Sequence, residues 1–243
     1  MKKILGTFIV AAILLVVLLY TARIWQQESL RFSNTQTWDV TAYPIPNDAQ
    51  VIAFDTSWLP PPPSNTSTTT QAELAYLHTL VEKRTPEALA YIRDELYFST
   101  TPIGSTTLGD IFATKPHTKR AFDYLIGVTD PALLAAKRHF DRVRPSYLDP
   151  SLSTAIPVPS HPAYPSGHAT EARLTAYFLS ELDPTNRAVY FKDADRTAYH
   201  REVAGVHYPS DTTAGKMLAD QLYQAIQADE QYRTLLHAAT IEW

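Results

Sequence analysis

The stretch DPALLAAKRHFDRVRP, residues 130–145, sets the pattern from which the rest of the chain can be read. An Asp-Pro pair marks a helix start, because proline is well tolerated at the first helical position. An apolar run follows, and Pro145 predicts the stop, since the residue before a proline disfavours helix. Lys137 and Arg144 stand seven residues apart, two helical turns, so both are expected on one face. Two aligned cations are mildly unfavourable unless an anion lies between them. Alone, the run reads equally well as a solvated basic face, because Arg138 and Arg142 are basic too.

The same punctuation recurs on both sides. From Gln71, QAELAYLHTLVEKR places Leu74, Leu77, Leu80 and Val81 on one helical face, and Thr85-Pro86 opens a second helix. Residues 99–116 read as loop with one short helical turn, and 118–127 as a helix ended by Gly127. Residues 147–164 are proline-punctuated loop, a rim over whatever lies beneath. Ser166 opens a helix to about Glu181, and Asp183-Pro184 another to about Val206. Ser210 or Asp211 caps a helix to about Ala228, and 229–238 form a short last one. Strand alternation and internal repeats are absent. The expectation is all-α: a compact helical bundle behind one N-terminal hydrophobic helix.

Three segments are expected: an export segment over 1–25, a Pro/Ser/Thr-rich lead-in over 26–70, and an all-α domain over 71–243. Met1-Lys2-Lys3 precedes an uncharged run from Ile4 to Tyr20, within the about 17–25 residues that a spanning helix needs. The positive flank keeps the N-terminus cytoplasmic and the domain outside. A signal anchor and a cleaved signal share this layout; Tyr20-Thr21-Ala22 is a poor cleavage site, with a bulky residue where a small one is wanted. The four prolines at 60–63 favour polyproline II, and the lead-in reads as a linker or as an arm, Val51–Trp58, packed over the domain. A net charge of −4 argues against nucleic acid as the main partner. The absence of cysteine excludes thiol nucleophiles, Cys-ligated metals and disulfides.

Two further polar signatures follow the first. YPSGH (164–168) joins a capping Ser, a Gly and a first-turn His, and helix N-termini bind anions through free N–H groups. Ser166 and the Gly167 amide can donate to an oxyanion. In HREVAGVHYPSD (200–211), Gly205 and Pro209 break the helix, so a turn brings His207 to Asp211. An Asp on imidazole Nδ1–H leaves Nε2 able to attack, and Arg201 adds a bidentate fork for phosphate. Each has a plain structural reading: simple capping with a packed His168, and a buried His–Asp pair with a surface Arg.

Together and in this order, the signatures resemble the type-2 phosphatidic acid phosphatase superfamily, whose pattern is K-x6-R-P, PSGH, then S-R-x5-H-x3-D. Lys137, Arg144 and Pro145 match the first, Pro165–His168 the second, and Arg201, His207 and Asp211 the third; His200 stands where the superfamily usually has Ser. Within it the chain looks most like bacterial class A non-specific acid phosphatases, whose LPPPP stretch is similar to Leu59–Pro63. The resemblance implies a broad-specificity phosphomonoesterase with His207 as nucleophile, His168 as general acid and base, and Asp211 orienting His207. Lys137, Arg144, Ser166, Gly167 and Arg201 would bind the phosphoryl oxygens. It implies no metal or other cofactor, an acidic to near-neutral optimum, and a homodimer as a reasonable state. Two rival readings use the same residues: a membrane-tethered lipid phosphate or diphosphate phosphatase, and a vanadium-dependent haloperoxidase, for which vanadate is the cofactor. A third is a tethered anion-binding module without activity.

Overall fold

The computed structural model describes residues 2–42, 45–96 and 110–243, with side chains from Phe8 onward. Much of the expected loop over 99–116 therefore lies outside the described residues. The first helix, α1 (Lys2–Ser29), stands clear of the rest: Phe8 to Tyr20 present their large apolar side chains to the surroundings. Over Phe8–Ser29 it is long and apolar enough to cross a membrane.

The lead-in after α1 is no free linker. Asn65 Nδ2 donates to the Gln27 and Leu30 carbonyls at 2.9 and 2.7 Å, capping the end of α1. Phe32 is fully buried, Leu59 lies in the core, and the Ile52 amide donates to the Val128 carbonyl at 3.0 Å. Phe54 and Trp58 pack against that core, so Val51–Trp58 is an ordered arm.

Nine further helices carry the described domain: α2 (Thr68–Glu82), α3 (Pro86–Asp94), α4 (Ile111–Thr114), α5 (Pro116–Phe140), α6 (Pro145–Leu148), α7 (Gly167–Leu182), α8 (Arg187–Val203), α9 (Pro209–Ile226) and α10 (Glu230–Thr240). Among the described residues there is no strand. The starts follow their caps. Ser67, Thr85, Ser166 and Asp229 each accept a backbone N–H from the first turn of their helix. Helix α7 is the centre, packed against both α8 and α9. Most of its residues are buried, and the small Ala169, Ala172 and Ala176 let neighbours approach closely.

Four boundaries differ from the sequence expectation. The helices expected over 118–127 and from 130 are one, α5, with Gly127 and Pro131 inside it. Pro46 of the lead-in packs against Gly127, where an added Cβ would come within 2.3 Å of the proline ring; the glycine serves that contact and ends nothing. Helix α5 also stops at Phe140, before Pro145. Asp141 takes a left-handed conformation (φ 46°), which short polar side chains tolerate. The start of the lead-in takes up the end of α5: Arg31 Nη1 donates to the Phe140 carbonyl at 2.9 Å, and the Phe32 amide to the Asp141 carbonyl at 3.2 Å. Arg144 is therefore in extended backbone, and Pro145 opens α6. Lys137 and Arg144 do not share a helix face.

The third difference is α8, which begins only after a 3-10 turn at Pro184–Asn186 and ends at Val203. Asp183 is tied there by Asn186 Nδ2 at 2.7 Å and the Tyr190 hydroxyl at 2.8 Å. Last, α9 starts at Pro209 with Tyr208 as its cap, so Asp211 lies in the first turn.

Two apolar cores meet along the segments that bear the three signatures. One contains Ala136, Phe140, Tyr164 and Ala214; the other contains Val143, Ala163, Val206 and Tyr208. The polar residues between them are consequently buried and fixed.

Candidate active site

Lys137, Gly167, His168, Arg201 and His207 line one cavity of about 560 Å³. Arg144, Ser166 and Asp211 form the layer immediately behind: Arg144 on His207, Ser166 as the cap of α7, Asp211 under His207. The structure thus gathers all eight residues singled out in the sequence, from the end of α5, the start of α7, the end of α8 and the start of α9.

His207 is 2% exposed. Its Nδ1 lies 3.2 Å from Asp211 Oδ2, and its Nε2 lies 2.9 Å from Arg144 Nη1. Arginine can only donate, so Nε2 must accept, which puts the ring proton on Nδ1, facing the carboxylate. Asp211 Oδ2 also accepts the Tyr208 amide at 2.9 Å, so the turn that starts α9 aligns the pair. This is the tautomer in which Nε2 carries the lone pair.

The cations are pinned by carbonyls. Lys137 Nζ donates to the Pro162 and Pro165 carbonyls at 2.9 and 2.6 Å. Arg144 donates to the Val206 carbonyl at 2.7 Å and the His161 carbonyl at 3.0 Å, and its Nη2 meets His161 Nδ1 at 3.0 Å. Arg201 is 1% exposed; its Nη2 donates to Glu95 Oε2 at 2.8 Å, while Nε and Nη1 meet no acceptor among the described residues. Buried guanidinium N–H groups without an acceptor are costly. An oxyanion in the cavity would satisfy them.

His168 donates Nε2–H to the Glu95 carbonyl at 2.7 Å, which leaves Nδ1 as the nitrogen that exchanges a proton in its neutral form. Burial, then Arg201, pushes His168 down to about 3. Burial, then Arg144 and Lys137, holds His207 well below its usual value. Lys137 is itself pushed well down by burial and then Arg144, with Asp211 and Glu171 opposing. Burial first, and neighbouring cations after it for Lys137, His168 and His207, disfavours the charged forms of Lys137, His168, Arg201 and His207, and a phosphate dianion among them would oppose that balance. Among the described residues, no group of three or more His, Asp or Glu side chains is placed to hold a metal ion.

The departure at His200 has a local explanation. His200 Nδ1 sits 3.0 Å from Glu95 Oε2 and the ring stacks on Tyr91, with centroids 5.7 Å apart. Burial alone would raise the Glu95 carboxyl, but His200 and Arg201 hold it below its usual value. One carboxylate at the end of α3 therefore binds His200 and Arg201 and, through its carbonyl, His168. Sequence reasoning missed Glu95, which no motif marks. It also missed His161 and the carboxyls of Asp130 and Glu171 in the cavity wall. Burial pushes Glu171 up to about 7 against the pull of Lys137, and burial and Glu171 push Asp130 upward. Arg142 was visible only as a basic residue; its alternation with Arg144 about the apolar Val143 is the period of extended backbone.

No family model matches the chain. A non-specific acid phosphatase of Providencia stuartii is 25% identical over 118 residues, covering 47% of this chain and 48% of that protein. The match thus spans about half the length of the curated relative. A bacterial vanadium-dependent iodoperoxidase shares the fold at a TM-score of 0.55 and 16% identity, over 80% of this chain and 62% of that one. A transmembrane PAP2-type phosphatidylglycerolphosphate phosphatase from Bacillus subtilis aligns at a TM-score of 0.48 and 21% identity, over 68% of this chain and 88% of that one. The acid phosphatase match and the shared helical fold agree with the resemblance to the type-2 phosphatidic acid phosphatase superfamily that the three signatures carry.

Proposed function

We propose that the protein is a phosphomonoester hydrolase that works through a phosphohistidine on His207, with broad acceptance of leaving groups. The observation that carries this reading is His207 itself: buried, Nδ1 on Asp211, Nε2 held as an acceptor at a cavity that Lys137 and Arg201 also line. In the first step Nε2 forms a bond to phosphorus as the ester P–O bond breaks, and His168 gives its proton to the leaving oxygen. The positive charge that develops on the His207 ring faces the Asp211 carboxylate. In the second step His168 removes a proton from water, the water oxygen bonds to phosphorus, and the P–N bond breaks. Lys137, Arg144, Arg201, the Gly167 amide and Ser166 would hold the three oxygens that become equatorial in the transition state of each step. No metal or other cofactor has a part in this scheme.

The general acid must be charged when the ester is bound, although the empty cavity disfavours it. The substrate's own dianion supplies the compensation, so acid-side operation follows from the site's electrostatics. Lys2 and Lys3 ahead of the apolar helix support a domain held outside the cytoplasm, by a signal anchor if the helix is retained.

The test is phosphate release from an aryl phosphate by the full chain in mild detergent, across pH 4–8 and with chelator, beside His207→Ala. Chelator-resistant turnover, lost in His207→Ala and accompanied by an acid-labile phosphoenzyme, is expected. Peroxide-dependent bromide oxidation with vanadate in place of phosphate release would overturn the reading in favour of a haloperoxidase.

A further inference from the structure

We propose that Arg142, backed by Glu73, is a positioning residue that acts on the nucleophile through Asp211. This assignment rests on the phosphatase reading above. Arg142 lies two residues before Arg144 in the extended segment after α5, yet it is 3% exposed and does not line the cavity. Its Nη1 donates to Asp211 Oδ1 at 2.6 Å and to Ser210 Oγ at 2.7 Å. Its Nη2 donates to Glu73 Oε2 at 3.2 Å, and the guanidinium lies 3.9 Å over the Tyr208 ring. Glu73, from α2, accepts the Ser210 amide at 2.6 Å and the Ser210 hydroxyl at 3.0 Å.

The geometry gives the two Asp211 oxygens separate duties. Oδ1 faces the guanidinium, while Oδ2 receives His207 Nδ1–H and the Tyr208 amide. The groups bonded to the carboxylate are all donors, and both of its oxygens accept. Without Arg142, Oδ1 would lose the contact that stops the carboxylate from rotating. Charge alternates outward from the nucleophile: imidazole, Asp211, Arg142, Glu73. Glu73 offsets the guanidinium charge, so Arg142 can fix Asp211 without opposing the positive charge that His207 develops on attack. That arrangement predicts an effect from Glu73, a residue on a different helix that touches neither substrate nor nucleophile.

The experiment is a double-mutant cycle on aryl phosphate turnover by the full chain, with kcat and KM measured separately. Arg142→Gln is expected to lower kcat about 10- to 100-fold with KM changed less than about twofold. In an Asp211→Asn background the same substitution should cost less than about threefold, because the group it acts through has gone. Glu73→Gln should lower kcat in the same sense and also lose its effect over Asp211→Asn. If Arg142→Gln does not fold, Arg142→Lys and Glu73→Gln complete the same cycle. Losses that multiply independently of Asp211, or that appear in KM alone, overturn the assignment and make the network structural. A parent chain without phosphate release overturns the phosphatase reading and this assignment with it; an active parent with independent losses overturns this assignment only.

Discussion

In the proposed reaction His207 attacks from Nε2, and two side chains set the tautomer that this needs: Asp211 accepts from one nitrogen and Arg144 donates to the other. Asp211→Asn keeps the shape but can present its own N–H to the ring, so kcat should fall about 10²- to 10⁴-fold with KM little changed, measured on an aryl phosphate. His200→Ser would install the residue usual in the superfamily, yet a hydroxyl does not reach Glu95 as the imidazole does. The expected result is near-parental turnover and a loss of about 1–3 kcal/mol in denaturant unfolding, because a buried carboxylate loses a partner. Lys137, Arg144, Ser166, Gly167, His168, Arg201, His207 and Asp211 were legible because each belongs to a signature of fixed spacing. Glu95, Arg142 and Glu73 were not: their roles come from tertiary packing that brings α2 and α3 against residues far along the chain, and no local pattern records it.

At the scale of helices, the approach of α9 to α7 sets the distance between the two halves of the site. Gly215 permits it: an added Cβ would lie 2.5 Å from the Ser166 carbonyl and 2.9 Å from Ala169 Cβ. Thr170 Oγ1 donates to the Gly215 carbonyl at 3.1 Å across the same contact. Gly215→Ala should therefore cost about 1–3 kcal/mol in chemical unfolding and lower kcat as well, since it moves His207 and Asp211 away from Gly167 and His168. Loss of stability with kcat unchanged would refute the coupling. Helix starts were readable because Thr85, Ser166 and Asp229 sit next to the helices they cap. Helix α5 was not, since its two apparent stops are overruled from outside: Pro46 fills the notch at Gly127, and Arg31 and Phe32 end the helix short of Pro145. The all-α class survived these errors because it depended on the number of helical segments and not on their exact ends.

Over the whole molecule, buried imidazoles make stability depend on pH in a defined direction. His168 is held at about 3 and His161 and His207 well below their usual value, all by burial first. Their unfolded values lie near 6.5, so the stability they contribute is complete above about pH 6.5 and is lost as pH falls toward the folded values. Glu171, raised to about 7, and Asp130 act in the opposite sense over the same window, so the imidazoles are read in Glu171→Gln, whose melting temperature should drop between pH 6.5 and 4, with saturating inorganic phosphate recovering part of the loss. A flat or rising profile over that range would contradict the assignment of buried neutral rings. The hydrogen bonds from Arg31 and Phe32 to the end of α5 also divide the N-terminal segment in an unexpected place. A chain beginning at residue 26 keeps Phe32 buried; one beginning at residue 36 loses it, at about 1.5–3 kcal/mol for the side chain alone, together with the clamp on Asp141. Proteolysis near Ala22 would leave that latch intact, whereas a cut ten or so residues later would unlatch the extended segment that carries Arg142 and Arg144. Shedding and inactivation would then differ by about three turns of chain.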